Sequence, residues 1–300
     1  MAAGDSQAGS LSQWAHRLAG AICLIASATV GAQTFSFNTG APDGKMATAS
    51  RPESPGKIEI ESADDFNLST PVTITHATFT GLLPAGAQLS DVNNVTVEIY
   101  RVFPLDSANP PDNRVPTRNN SPSDVAFLSR DSASSTLSFT MSVLSQNFTA
   151  ANSVLNGINP KPNQNTLGEG PVSGQEVTFN VTFTSPIGLQ PDHYFFIPQV
   201  GLNSGDFFWL SAPKPIVPPG TTFSPDLQSW IRNGDLDPDW LRIGTDIVGG
   251  TTPPTFNAVF SLTGTVPDAT GTVFLLGVAI CILVLVRSTL NNFALGRSSP

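Results

Sequence analysis

Two segments of strict two-residue alternation constrain this chain more than any other feature. In residues 137–143, Leu137, Phe139, Met141 and Val143 alternate with Ser138, Thr140 and Ser142, and in residues 177–183, Val177, Phe179, Val181 and Phe183 alternate with Thr178, Asn180 and Thr182. Successive strand side chains point to opposite faces, so each segment has one dry and one wet face as a strand and no coherent apolar stripe as a helix. The pattern recurs where Val95, Val97 and Ile99 oppose Thr96, Glu98 and Tyr100, and in Phe256, Ala258, Phe260 and Leu262. Lys57-Ile58-Glu59-Ile60-Glu61 repeats it with the charges outward, and residues 34–37, 72–79 and 194–200 are further strand candidates. Half-buried strands of this kind predict an all-β fold, an antiparallel two-sheet β-sandwich. Residues 104–123, 152–175, 212–225 and 244–254 read as long loops rich in Pro, Asn and Gly, which favours jelly-roll-like connections over an up-and-down barrel. No repeat of fixed period is visible, which argues against a propeller or solenoid.

The strand pattern occupies only the middle of the chain. Residues 18–30 are apolar or small and uncharged, follow His16 and Arg17, and end in Val30-Gly31-Ala32. Small side chains at Val30 and Ala32 suit a signal peptidase, so residues 1–32 are expected to be a signal peptide cleaved after Ala32. Residues 272–286 form a second uncharged apolar run, halted by Arg287. With residues 269–271 that run is long enough for a thin bilayer, so residues 272–287 are expected to be a transmembrane helix with Arg287 as its stop. The positive-inside rule keeps Arg287 and Arg297 in the cytoplasm with the tail, residues 288–300, and puts everything before Val266 outside. Both ends therefore give one topology, with residues 33–265 as an extracytoplasmic domain. That domain lacks thiols, because the two cysteines, Cys23 and Cys281, lie inside the terminal apolar runs. The net charge of −9, with basic residues scattered, argues against nucleic-acid binding.

Directly before the second apolar run stands Val266-Pro267-Asp268-Ala269-Thr270-Gly271. Motif, apolar run and basic stop together resemble the VPDSG-type relative of the PEP-CTERM sorting signals, over roughly the last thirty-five residues. The resemblance makes residues 266–271 a sorting motif, read through Val266, Pro267 and Asp268. It also implies an exosortase-like membrane transpeptidase as a partner beside signal peptidase. Ala-Thr-Gly replaces the usual Ser-Gly, and the basic cluster is Arg287 with a distant Arg297, so a retained single-pass anchor stays open beside processing. Residues 37–44, followed by Ala63-Asp64-Asp65-Phe66, resemble the opening of a β-sandwich domain common among PEP-CTERM exported proteins. The resemblance implies a cell-surface or extracellular-matrix protein, reached through a single-pass membrane intermediate. The alternative is a surface-displayed ligand-binding module, for calcium or for a glycan such as extracellular polysaccharide.

Catalytic signals are sparse. His76 and His193 are the only histidines of residues 33–265, no Gly-x-Ser-x-Gly elbow occurs, and no cysteine is present, so no enzymatic constellation, cofactor or metal site is expected. Asp235, Asp237 and Asp239 alternate, and Asp246 is the twelfth residue counting from Asp235, an echo of a calcium loop. Trp240 stands where such a loop needs glycine and Pro238 stiffens it, so a solvated turn is the expectation. Phe207-Phe208-Trp209, Trp230 and Trp240 read as core, with a sugar-stacking face as the alternative. Residues 226–231 are expected to form a short helix capped by Asp226, and Asp64-Asp65 a turn or capping pair. An enzymatic reading would require Asp64, Asp65, His76 and Asp235 to converge in one cleft.

Overall fold

In a computed structural model of the chain, the described residues are 33–158, 165–213, 228–252 and 254–267, together with Leu283 and Arg287. The expected signal peptide, with Val30 and Ala32, lies outside them, as do Asp268 and most of the expected transmembrane segment. Leu283 and Arg287 are helical and exposed. No helix among the described residues is long and apolar enough to cross a membrane. Residues Thr34–Pro267 form one structural unit.

This unit is all-β, with two sheets that are mainly antiparallel. The larger is organised around β4 (Val72–Pro84), one edge of which carries β9 (Val172–Leu189) along its whole length. The other edge of β4 is shared. β15 (Phe260–Val266) pairs with its first part, and β11 (Phe208–Ala212) pairs at Gly81 and Leu82. A Cβ at Gly81 would lie 2.3 Å from the Phe207 ring and 2.4 Å from the Phe208 carbonyl oxygen, so only glycine admits β11 this closely. β1 (Gln33–Asn38) lies beyond β15, β2 (Met46–Ala49) and β8 (Asn152–Val154) lie beyond β11, and β7 (Leu137–Ala150) lies beyond β9. A short β14 (Asn257–Ala258) also pairs with β11. The β2–β8 pair is parallel.

The smaller sheet has the order β13 (Leu241–Arg242), β12 (Trp230–Asn233), β3 (Ile60–Asn67), β10 (His193–Leu202), β5 (Val92–Arg101), β6 (Leu128–Asp131). Inward residues of both sheets meet in one core, where Phe79 stacks on Phe179 at 4.7 Å between ring centroids. Phe196 of the smaller sheet stacks on Phe260 of the larger at 5.0 Å. Burying each such ring contributes about 1.5–3 kcal/mol, so these rings tie the two layers together.

Several expectations need correction. In residues 57–61 the strand starts only at Ile60, because the Lys57 backbone closes a turn on Ser54, the two exchanging hydrogen bonds at 2.9 and 3.1 Å. Within residues 226–231, Trp230 and Ile231 are strand rather than helix. Trp230 is opposite Ala63 and Ile231 opposite Ser62, and the ladder to β3 outweighs the local capping signal. The loop expected at residues 244–254 opens in a π-helical turn, Ile243–Val248, and residues 152–175 contain β8 and the start of β9.

Candidate functional site

The central strands of the smaller sheet, β12, β3 and β10, are buried on both faces. β3 has no exposed residue although five of its eight residues, IESADDFN, are polar. Phe66 points to the main core, whereas Ala63 packs on the outer face with Phe195, Ile197, Tyr100, Trp230 and Trp240. Segments following β5 and β12 cover that outer face. The Trp240 indole N–H donates to the Ser123 carbonyl oxygen at 3.0 Å, and Arg232 Nη1 donates to that of Asp124 at 2.9 Å.

Strand register sets a row of polar groups along one margin of this covered face. Arg232 is opposite Glu61 across β12 and β3, while Glu98 and Tyr100 lie opposite Ile197 and Phe195 across β5 and β10. The Arg232 guanidinium has every edge engaged. Its Nε donates to Glu61, its Nη1 to Asp237 at 2.6 Å, and its Nη2 to the Tyr100 hydroxyl at 2.9 Å. Its plane also lies 4.5 Å from the Trp240 ring centroid. The Tyr100 hydroxyl donates to Glu61 Oε1 at 2.8 Å and lies 3.4 Å from Glu98 Oε2. Gln199 Nε2 donates to Glu59 Oε1 at 2.6 Å.

These groups line a cavity of about 330 Å³, bounded by Glu59, Glu61, Glu98, Tyr100, Ala126 and Arg232. Four carboxyl groups, counting Asp237, face one guanidinium here. Asp124, also at the rim, is held by Arg118 and by the amides of Ala108 and Asn109, each 3.0 Å away. Burial, then the charges of Glu61 and Glu59, push the Glu98 carboxyl up to about 8. Burial and the Glu61 charge also raise Glu59. Burial opposes the charge on Arg232, yet Glu61 and Tyr100 carry its pKa above the ordinary value, so it stays a cation. Near neutral pH Glu98 is therefore largely protonated and can donate a hydrogen bond into the cavity.

The residues singled out from the sequence do not converge. Asp64 accepts from the Ala258 amide at 2.8 Å and the Ser229 hydroxyl at 3.2 Å, whereas Asp65 is 3.0 Å from His193 Nε2. His76 is exposed on β4 with its Nδ1 2.8 Å from the Thr75 hydroxyl, and exposed Asp235 offers its carbonyl oxygen to Arg114 Nη2 at 2.6 Å. In the calcium-loop echo each buried or bridging carboxylate faces an arginine: Asp237 Arg232, Asp239 Arg118 at 3.3 Å, and Asp246 Arg242 at 2.9 Å. Among the described residues, no group of three or more His, Cys, Asp or Glu side chains is placed to hold a metal ion. Trp209, Trp230 and Trp240 are at most 1 % exposed, so none offers a sugar-stacking face. Val266 ends β15 and Pro267 follows it as the last residue of the structural unit.

The fold and cavity define an all-β, two-sheet domain with a charged recess on the outside of its smaller sheet. Compared with known proteins, the chain matches no family model, no curated protein and no solved structure.

Proposed function

We propose that the chain is an exported cell-surface or extracellular-matrix protein, delivered by a signal peptide and held, then processed, at a C-terminal sorting signal. In this reading the domain is a jelly-roll-like sandwich between a signal helix and a transmembrane helix. Its partners are signal peptidase and an exosortase-like membrane transpeptidase. The observation that carries it is the coincidence of boundaries: the structural unit runs from Thr34 to Pro267, while the expected cleavage follows Ala32 and the motif spans residues 266–271. A processing enzyme needs a reachable motif, and β15 ends at Val266, the first residue of that motif. Pro267 itself has no amide hydrogen to donate to a neighbouring strand. The test is the mass of the mature protein, with and without Val266→Ala, Pro267→Ala and Asp268→Ala together. Loss of C-terminal trimming in the triple variant is the expected result, and identical products from both chains reject the sorting reading.

The cavity favours a second reading, display of a ligand-binding domain. Its volume suits a small ligand, and the carboxyl groups of Glu59, Glu61 and Glu98 suit the hydroxyl groups of a sugar. Thermal unfolding with and without soluble oligosaccharides tests it, since a ligand of the folded state raises the melting temperature. A rise that disappears in Glu59→Gln/Glu98→Gln supports this reading, and no rise with any oligosaccharide rejects the glycan assignment.

A further inference from the structure

β7 pairs with β9 along one edge, and among the described residues no strand pairs with the other. It is 14 residues long, LSFTMSVLSQNFTA, and contains no charge and no proline. Such an edge presents a row of backbone donors and acceptors, and natural sheets blunt long edges with charge, proline, bulges or brevity. Three other edges follow that rule. β6 has four residues and carries Arg130 and Asp131, β13 has two and β8 three. On β7 the irregularities begin only after Val143, which leaves residues 137–143 as a regular, unguarded stretch.

We propose that this edge is a self-association surface, on which β7 of a second copy pairs antiparallel and extends the larger sheet across a two-fold axis at Thr140. The sequence is self-complementary in that register. Thr140 meets its own copy, Ser138 meets Ser142, Phe139 meets Met141, and Leu137 meets Val143. Polar residues therefore pair on the wet face and apolar residues on the other. A register displaced by one residue would put wet-face residues opposite dry-face ones. The exposed side chains of Ser138, Thr140 and Ser142 make one row. The half-buried Phe139, Met141 and Val143 pack at the margin of the main core, so a partner strand carries that core onward. Charge argues for this segment over the rest of the surface. Two copies of a chain with net charge −9 repel, and antiparallel pairing of an uncharged strand places no like charges opposite one another.

The test uses the full chain in detergent, with Cys23→Ser and Cys281→Ser so that engineered thiols are the only ones. Thr140→Cys should cross-link to its copy under mild oxidation, because residues facing one another across a strand pair lie within disulfide reach. Ser138→Cys should not, since its own copy is displaced along the strand. Thr140→Lys should leave the circular dichroism spectrum of the folded domain unchanged and convert a dimer to a monomer in analytical ultracentrifugation. A monomeric parent chain, a Thr140→Lys variant that stays dimeric, or equal cross-linking at positions 138 and 140 would each overturn the proposal.

Discussion

The two faces of the smaller sheet are built from the same strands and are both buried at its centre, yet they are held by different chemistry. Inward, Phe66, Val97, Ile99 and Phe196 pack against the larger sheet, and burial of apolar area stabilises them without directional demands. Outward, Tyr100, Trp230 and Trp240 surround an arginine whose donors meet Glu61, Asp237 and the Tyr100 hydroxyl. An apolar face tolerates change in proportion to the volume removed. A buried ionic face fails when one partner goes, because the other is left charged and desolvated.

Two substitutions of similar expected size compare the faces directly. Phe196→Ala removes a ring stacked on Phe260 and should cost about 3–5 kcal/mol in chemical denaturation. Arg232→Ala should cost a similar amount, about 3–5 kcal/mol, by leaving Glu61 buried without its counter-charge. The distinguishing measurement is the second substitution. Glu61→Gln in the Arg232→Ala background should recover part of the loss, whereas no mutation at position 61 should rescue Phe196→Ala. Equal behaviour of the two backgrounds would mean that the outer face is simply another apolar core.

A smaller effect separates the hydroxyl from the ring at Tyr100. Tyr100→Phe keeps the packing against Trp240, at 5.7 Å between ring centroids, and deletes the donor to Glu61 and the acceptor of Arg232. The expected loss is about 1–3 kcal/mol, the cost of leaving a buried polar partner unsatisfied. A loss near zero in denaturant titration would show that the hydroxyl is not part of the outer network.

The sequence made the inner face readable and the outer face nearly opaque. Alternation at β5, β7 and β9 gave those strands and the inward direction of Val97 and Phe179, because one face of each is in the main core. The same rule marked Glu98 and Tyr100 as a wet face, and the cover laid over them by residues after β5 and β12 left no periodic signal. A glutamate and a tyrosine two apart on a strand do share a face, so their proximity was legible, but the guanidinium that joins them arrives from β12, about 130 residues away. That strand read as a helix because Asp226 is a good cap, and tertiary pairing with β3 overrode the local preference. β2, β6, β8 and β13 escaped for a plainer reason, since strands of two to four residues are too short to show a period. Trp209, Trp230 and Trp240 were expected in the core and are found there.

The mildest test of the contrast is pH, which acts on the outer face and leaves the inner one alone. Glu98 has a folded pKa of about 8, raised by burial and by the charges of Glu61 and Glu59 from an ordinary 4.5. Between those values the folded chain holds a proton that the unfolded chain has released, so stability falls as pH rises. Glu98 thus contributes its full stabilisation below about 4.5, loses it progressively towards 8, and changes little above that. The raised pKa of Glu59 adds a slope of the same sign. Asp124, whose pKa Arg118 and the Asn109 amide lower against the opposing effect of burial, loses its contribution only as pH falls through the acid range, outside this window. The expected melting temperature therefore declines from pH 5 to pH 9 in the parent chain. In Glu98→Gln, which stays neutral throughout, the decline should be shallower, with the remainder carried by the other raised carboxyls, Glu59, Glu176 and Asp239. Parallel curves for the two chains would show that Glu98 ionises in the folded state as it does in the unfolded one. The outer face would then be a solvated surface in all but geometry, and its contrast with the aromatic core would rest on Arg232 alone.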